Sequence, residues 1–456
     1  MASRRKSLTN YDFGGSRMKK ATLLLAMALL LILSACSSDS GSGNSSSANK
    51  GGTEPSGGSS SKEITIWAWD KNFNIKALEL AKELYAKDHP DTKITVIENA
   101  QADIVQKLNT GFGSGSNKGL PNIVLIEDYR AQSFLQAFPD MFFDLTSSIK
   151  GSDFAQYKIG PTSVDGKNYG LPFDSGVTGL FVRTDYLEKA GYKTSDLQNI
   201  TWDQYIEIGK KVKEATGKNM LALDPNDLGI VRTMIQTAGS WYMDKDGKKP
   251  YLEGNPALKE AFQLYKTMIE DNMVKPVSDW SQYLAAFNSG DVASVPTGNW
   301  ISASIKSQGD QSGKWAVVPI PRLSGQSGAV NASNLGGSSW YVLNVPGKEA
   351  AADFMAKTFG SSTELYQKLI TDIGAIGTYA PAASGEAYSQ ADPFYNNQTV
   401  IADFANWTNQ IPRVNYGAST YAIEDILIVE MQNFLSGKSI DAVLKDAQQQ
   451  AEAQTQ

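Results

Sequence analysis

Glu63-Ile64-Thr65-Ile66-Trp67-Ala68-Trp69-Asp70 opens the part of the chain that can fold around a core. Its β-branched and aromatic residues read as a strand. Phe73, Ala77, Leu80, Ala81 and Leu84 then recur at helical spacing. A second strand follows at Lys93-Ile94-Thr95-Val96-Ile97, a helix around Ala102 to Leu108, and a third strand at Ile123-Val124-Leu125-Ile126. Strand, helix, strand, helix, strand implies βαβ units, a parallel sheet and the α/β class. Ligands of open α/β sheets sit at the carboxyl ends of the strands. Those ends carry Trp69-Asp70 and Glu127-Asp128.

Further along, the chain is more helical. Thr201-Trp202-Asp203-Gln204 is a capping-box start, with Gly217 as the stop. Asn255-Pro256 opens a helix carrying Leu258, Ala261, Phe262, Tyr265, Met268 and Ile269. Other helices are expected over 348–359, 363–370, 422–435 and 440–451. Pro/Gly punctuation falls at 169–172, 295–298 and 335–337 and divides the body into four stretches.

Before Glu63 the sequence has another character. Lys19-Lys20 precede 13 uncharged, mostly apolar residues, Ala21 to Leu33. That run is too short for a membrane span of about 20 residues and reads as the core of a signal peptide, 1–35. It ends in Leu33-Ser34-Ala35-Cys36, which resembles the bacterial lipobox. In such signals the cysteine becomes the first mature residue and carries lipid. Met18 is a natural start, so 1–17 reads as an upstream extension. Residues 36–62 are a Ser/Gly-rich tether.

Composition narrows the chemistry. The 456 residues include one His and one Cys, too few for the usual zinc sites or a Ser-His or Cys-His pair built elsewhere. His89 lies in a polar connection and reads as a solvated loop residue. The whole chain carries −6. Removing 1–36, with six basic residues and one acid, leaves −11. An acidic body argues against nucleic acid and against attraction to anionic lipid. Asp244-Lys245-Asp246-Gly247 imitates a calcium loop but puts Tyr242 where an acid is required, so a hairpin turn is expected. Gly111, Gly113 and Gly115 read as a flexible loop, and no cofactor or metal is called for.

The lipobox, Asp165-Gly166-Lys167-Asn168-Tyr169-Gly170-Leu171-Pro172, Gly290-Asp291-Val292-Ala293 with Gly298-Asn299-Trp300, Trp315 to Pro321, and Gly336-Gly337-Ser338 occur in that order. Together they resemble the extracellular solute-binding proteins of bacterial ABC importers, in the carbohydrate-binding group that includes maltodextrin-binding proteins. The resemblance runs from Leu33 to about Leu444. The 69–74 stretch is similar to lactose- or arabinose-type receptors of that group. It implies two α/β lobes with a hinge and an interlobe cleft, in which a sugar is captured and handed on unaltered to permease subunits in the membrane. The lobes would be 63–172 with 300–338, and 176–296 with 346–456, crossing near 172–176, 296–300 and 338–346. The protein would be a monomer, tethered through Cys36 to the outer face of the membrane of a Gram-positive cell.

A sugar offers C–H faces that stack on aromatic rings and a rim of hydroxyls that need polar partners. The candidates are therefore Trp69, Asp70, Asn72 and Phe73 after the first strand, Glu127 and Asp128 after the third, and Asp174 at the first crossing. Trp241, Asn299, Trp300, Ser338, Trp340 and Arg413 complete the set. Trp69 is preferred to Trp67 because it adjoins the loop. The resemblance implies that Trp300 stacks on sugar. The opposing class is a secreted glycoside hydrolase, which also combines aromatics with paired carboxylates. A peptide receptor would need a charge clamp, and none is found.

Overall fold

A computed structural model describes residues 63–455. The signal, lipobox and tether readings, Cys36 included, lie outside the described residues. The opening alternation folds as its pattern implies. Strand β1 (Glu63–Ala68) lies between β2 (Lys93–Glu98) and β3 (Ile123–Glu127), parallel to both. Helices α1 (Lys76–Ala86) and α2 (Gln101–Gly113) make the connections, and α3 (Asp128–Ala137) follows β3 directly. Lys71–Ile75 forms a π-type turn ahead of α1. Helix α2 runs through Gly111 and Gly113, correcting the expected loop. The buried Phe112 ring packs on Phe134, Phe138 and Phe142. Burying a ring of that size is worth about 1.5–3 kcal/mol, more than the roughly 1 kcal/mol a helical glycine costs. Only Gly115, with φ +65°, lies beyond the helix.

Two later strands complete this sheet. β4 (Gly170–Pro172) and β8 (Ser338–Val342) give the order β2-β1-β3-β8-β4, with β8 antiparallel to both neighbours. A second sheet has β5 (Thr178–Arg183) at its centre, antiparallel to β6 (Ser294–Gly298) and β7 (Trp315–Pro319).

Helix α4 (Trp202–Thr216) has both bonds of its capping box, Gln204 N–H to Thr201 Oγ1 at 3.3 Å and Thr201 N–H to Gln204 Oε1 at 2.9 Å. Gly217 closes it in the left-handed region at φ 70°. Helix α5 (Gly229–Thr237) follows. Asn255 caps α6 (Pro256–Glu270), and Asp279 caps α7 (Trp280–Asn288). Caps of this kind contribute about 1 kcal/mol each. The last helices are α8 (Lys348–Lys357), α9 (Thr363–Ile373), α10 (Val400–Thr408), α11 (Thr420–Leu435) and α12 (Ile440–Thr455). Residues 243–250 form the expected hairpin, with Lys248 and Lys249 N–H donating to Asp244 Oδ1. His89 is less solvated than expected: it stacks on Tyr85 at 4.1 Å, and Lys357 Nζ lies 3.1 Å from its Nε2.

Strand pairing redraws the expected partition. β7 lies within 300–338 yet pairs with β5, so that segment is shared between the sheets. Helix α8 packs on β8 and α9 on α1, which ties 348–373 to the first sheet, whereas α11 and α12 pack on α6. The third crossing falls earlier than 338–346, because Ser338–Val342 is already strand β8. Residues 173–178 and 333–338 run side by side between the sheets. Phe173 N–H donates to Ser338 O, Leu335 N–H to Gly176 O, Thr178 N–H to Ser333 O, and Asn299 N–H to Val177 O. Gly176 is required there: a Cβ would stand 2.6 Å from both Asn334 Oδ1 and Leu335 O.

Candidate functional site

Three groups of side chains gather around these crossings. The first stands at the carboxyl ends of β1 and β3. Trp69, partly buried, lines a pocket with Gln101, Ile104, Val105, Glu127 and Arg130. Its free space is about 10 Å³, at the threshold for one water molecule. Glu127 accepts from Tyr421 Oη at 2.5 Å and from Gln101 Nε2 at 3.4 Å, and Arg130 lies 3.8 Å away. The Arg130 guanidinium sits 3.8 Å over the Tyr421 ring. Burial, and then the charge of Glu127, hold the Tyr421 hydroxyl well above its ordinary pKa. Asp70 and Asn72 are exposed at the rim. Asp70 takes a left-handed φ of 61°, unusual for a residue with a side chain, and accepts from Asn72 N–H at 2.9 Å. Phe73 is half-buried against Phe173 at 6.3 Å.

The second group surrounds Trp300. Its indole folds back over Gly298, where a Cβ would lie 2.1 Å from Nε1, and donates to Leu335 O at 2.9 Å. The glycine makes room for the tryptophan itself. Asn299 is buried beside it, with Oδ1 lacking a hydrogen-bond partner. The ring of Trp280 stands 5.8 Å from that of Trp300.

The third group is buried and centred on Lys158, whose ammonium is fully enclosed. It pairs with Asp128 Oδ2 at 2.5 Å and donates to Asp174 O at 3.0 Å and Ser338 O at 2.8 Å. Asp174 accepts from Ser338 N–H at 2.6 Å and Ser338 Oγ at 2.7 Å, and Asp128 accepts from Ser339 Oγ at 2.8 Å. Desolvation pushes the Asp128 carboxyl up to about 6 against the pull of Lys158 and Ser339, while the charge of Asp174 adds to the rise.

This arrangement corrects part of the expected set. Asp128, Asp174 and Ser338 are buried and bond one another, Lys158 or Ser339, so they brace the crossings. Trp340 is wholly interior, between Phe173 at 5.3 Å and Phe359 at 5.4 Å, because its register on β8 turns it into the core. Trp241 is also interior. Tyr129, Tyr416 and Tyr242 surround its ring at 5.3, 4.7 and 5.5 Å, and Nε1 donates to Thr420. Arg413 is exposed on its loop. Trp69 and Glu127 line one pocket, and Trp300 meets the 334–337 crossing at Leu335 O. That crossing receives the Trp300 indole at Leu335 O, the Tyr129 hydroxyl at Asn334 O and the Asp128 N–H at Gly337 O.

Arg130, Tyr421, Lys158 and Trp280 are among the side chains of these groups that escape the sequence reading. Arg130 was within reach, since i,i+3 spacing on α3 brings it to the face of Glu127. Tyr421 stands 294 residues from Glu127, and no local pattern joins them.

Two sheets joined by paired crossings make a body of two lobes. A family model for the bacterial extracellular solute-binding proteins matches residues 80–423, and the chain belongs to that family. It is a binding protein and not an enzyme. It is 47% identical to a lactose-binding protein of Rhizobium radiobacter over 395 residues, 86% of this chain and 93% of that protein. It is 31% identical to an arabinooligosaccharide-binding protein of Bacillus subtilis (strain 168), covering 67% of this chain and 71% of the relative. The GacH receptor of Streptomyces glaucescens shares the fold, with a TM-score of 0.70 and 19% identity over 85% of this chain and 96% of that one. So does the binding protein of B. animalis subsp. lactis solved with β-1,6-galactobiose, with a TM-score of 0.66 and 22% identity over 86% and 96%. The fold is thus α/β and two-lobed, and the chain is a bacterial extracellular solute-binding protein. Among the described residues, no helix is long and apolar enough to cross a membrane, and no cluster of His, Cys, Asp or Glu could hold a metal ion.

Proposed function

We propose that this protein captures a neutral oligosaccharide, of disaccharide size or somewhat longer, between Trp69 and Trp300 and delivers it intact to permease subunits. Glu127, Arg130, Asp70 and Asn72 supply the polar rim, with Phe73 behind them. The observation that supports this reading is that the 334–337 crossing meets both groups, the Trp300 indole at Leu335 O and the Asp128 N–H, next to Glu127, at Gly337 O. The 47% identity to a lactose-binding protein makes lactose the first sugar to test.

Hydrogen bonds to charged partners contribute about 1.5–3 kcal/mol each. A few of these with two stacked rings reach about −8 kcal/mol, micromolar binding. Admission of a ligand is a hinge motion of the lobes, and the crossings at 173–178 and 333–338 are where such a motion bends. Lipid on Cys36 would hold the chain at the outer face of the membrane, on a tether long enough to reach the permease. We read the protein as a monomer. Calorimetric titration with lactose, arabinobiose and β-1,6-galactobiose tests the reading. A single saturable site for one of them supports it, and silence with all three removes it.

A further inference from the structure

We propose that Trp280 is a second stacking platform, which holds the next ring of an oligosaccharide whose first ring lies on Trp300. The inference rests on the sugar-binding reading above and deepens it by making chain length a recognised feature.

Trp280 is 53% exposed, though tryptophan is among the side chains that gain most from burial. It is not a solitary surface ring, which would need no explanation. Tyr283 stacks with it at 5.6 Å and 25°, and Trp300 stands 5.8 Å away at 44°. The patch therefore continues the surface already assigned to sugar. Each member is fixed in place. Trp280 is the first residue of α7, whose cap Asp279 accepts from Gln282 N–H at 2.8 Å, and Gln282 Nε2 returns a bond to Asp279 Oδ2 at 2.9 Å. Thr297 on β6 is bonded to the Tyr283 hydroxyl.

One acidic partner, the largely exposed Asp227, stands at the start of α5, where Gly229 faces Leu335. Both hydrogen bonds to the Asp227 carboxylate, from Gly229 N–H at 2.7 Å and Arg232 Nη2 at 3.2 Å, fall on Oδ1, which leaves Oδ2 for a hydroxyl. Leu335 joins the two sides: its carbonyl holds the Trp300 indole, and its Cδ1 would lie 3.3 Å from a Cβ at Gly229. Two tilted aromatic planes with an acidic rim suit adjacent rings of a bent glycosidic chain better than a single sugar. They also suit a neutral ligand better than an anionic one.

The test is calorimetry on the whole exported body with galactose, lactose, arabinose and arabinotriose, using unaltered protein, Trp280→Ala and Trp280→Phe. Trp280→Ala should weaken lactose or arabinotriose about tenfold, the worth of one aromatic contact. Monosaccharides should change less than about twofold, and Trp280→Phe should keep most of the affinity. Acrylamide quenching gives a second reading where monosaccharides bind weakly. The longer sugar should shield more tryptophan than a monosaccharide does in the unaltered protein, and that difference should vanish in Trp280→Phe. Equal loss for short and long sugars, unchanged affinity for the long ones, or unchanged shielding would overturn the inference while leaving sugar binding intact. Failure of the unaltered protein to bind any sugar would instead defeat the underlying reading, and this inference with it.

Discussion

Replacing Lys158 by methionine tests whether one enclosed ammonium ties the crossings to the first sheet. The substitution keeps the side chain's length and removes its charge. Asp128, 1% exposed, then loses its ion pair at 2.5 Å, and the carbonyls of Asp174 and Ser338 lose donors at 3.0 and 2.8 Å. Breaking a buried pair on one side costs about 3–5 kcal/mol, because the remaining charge is stranded. Asp128 can escape by taking up a proton. From its ordinary value of 3.8, that uptake costs about 1.4 kcal/mol per pH unit, so about 4 kcal/mol at pH 7 and about 2 at pH 5. The loss should therefore fall within 3–5 kcal/mol near pH 7 and shrink markedly by pH 5. Lys158→Met with Asp128→Asn removes both charges and should recover most of it. Urea unfolding at pH 5 and 7.5 measures all three proteins. A loss below about 1 kcal/mol at neutral pH, or one equal at both pH values, would show that Lys158 is not the tie described.

Other expectations follow from the same geometry. Trp300→Ala should weaken sugar binding by about 1–3 kcal/mol, read by calorimetry, while the far-ultraviolet circular dichroism stays native; unchanged affinity would take Trp300 out of the site. Gly176→Ala should cost about 1–3 kcal/mol in urea, since the new methyl meets Asn334 Oδ1 and Leu335 O at 2.6 Å; full stability would mean the crossings are looser than described. Glu424 is pushed up to about 7 by burial, against the pull of Arg232. A carboxyl raised in the fold favours the protonated state, so its contribution is fullest below its ordinary 4.5 and is lost as pH rises through about 7. Stability should fall across that window by up to about 1.4 kcal/mol per pH unit, and Glu424→Gln should flatten the slope; an unaltered slope would contradict the assignment.

Local signals in the sequence carried much of this fold. The β1-α1-β2-α2-β3 order, the Thr201–Gln204 box and the Asn255 cap act within a few residues, and each is where the pattern puts it. What failed was long in range. Trp340 was a candidate contact, but its inward turn depends on a register with β3 set some 210 residues earlier. Asp174 and Ser338 stand 164 residues apart, so nothing local shows that they bond each other and not a ligand. Trp315 to Pro319 is plainly a strand, yet its sheet is decided by β5. That Trp69 and Glu127 line one pocket follows from the carboxyl ends of neighbouring parallel strands lying side by side. Trp280 was not legible, since an aromatic in the first turn of a capped helix usually faces the core.

The most direct test of the account is to incubate the purified body with lactose, follow binding by calorimetry and then analyse the sugar by chromatography. The account predicts one saturable site of micromolar affinity and lactose recovered unchanged. Free galactose and glucose in the mixture would contradict it, as would the absence of saturable heat with lactose, arabinobiose and β-1,6-galactobiose alike.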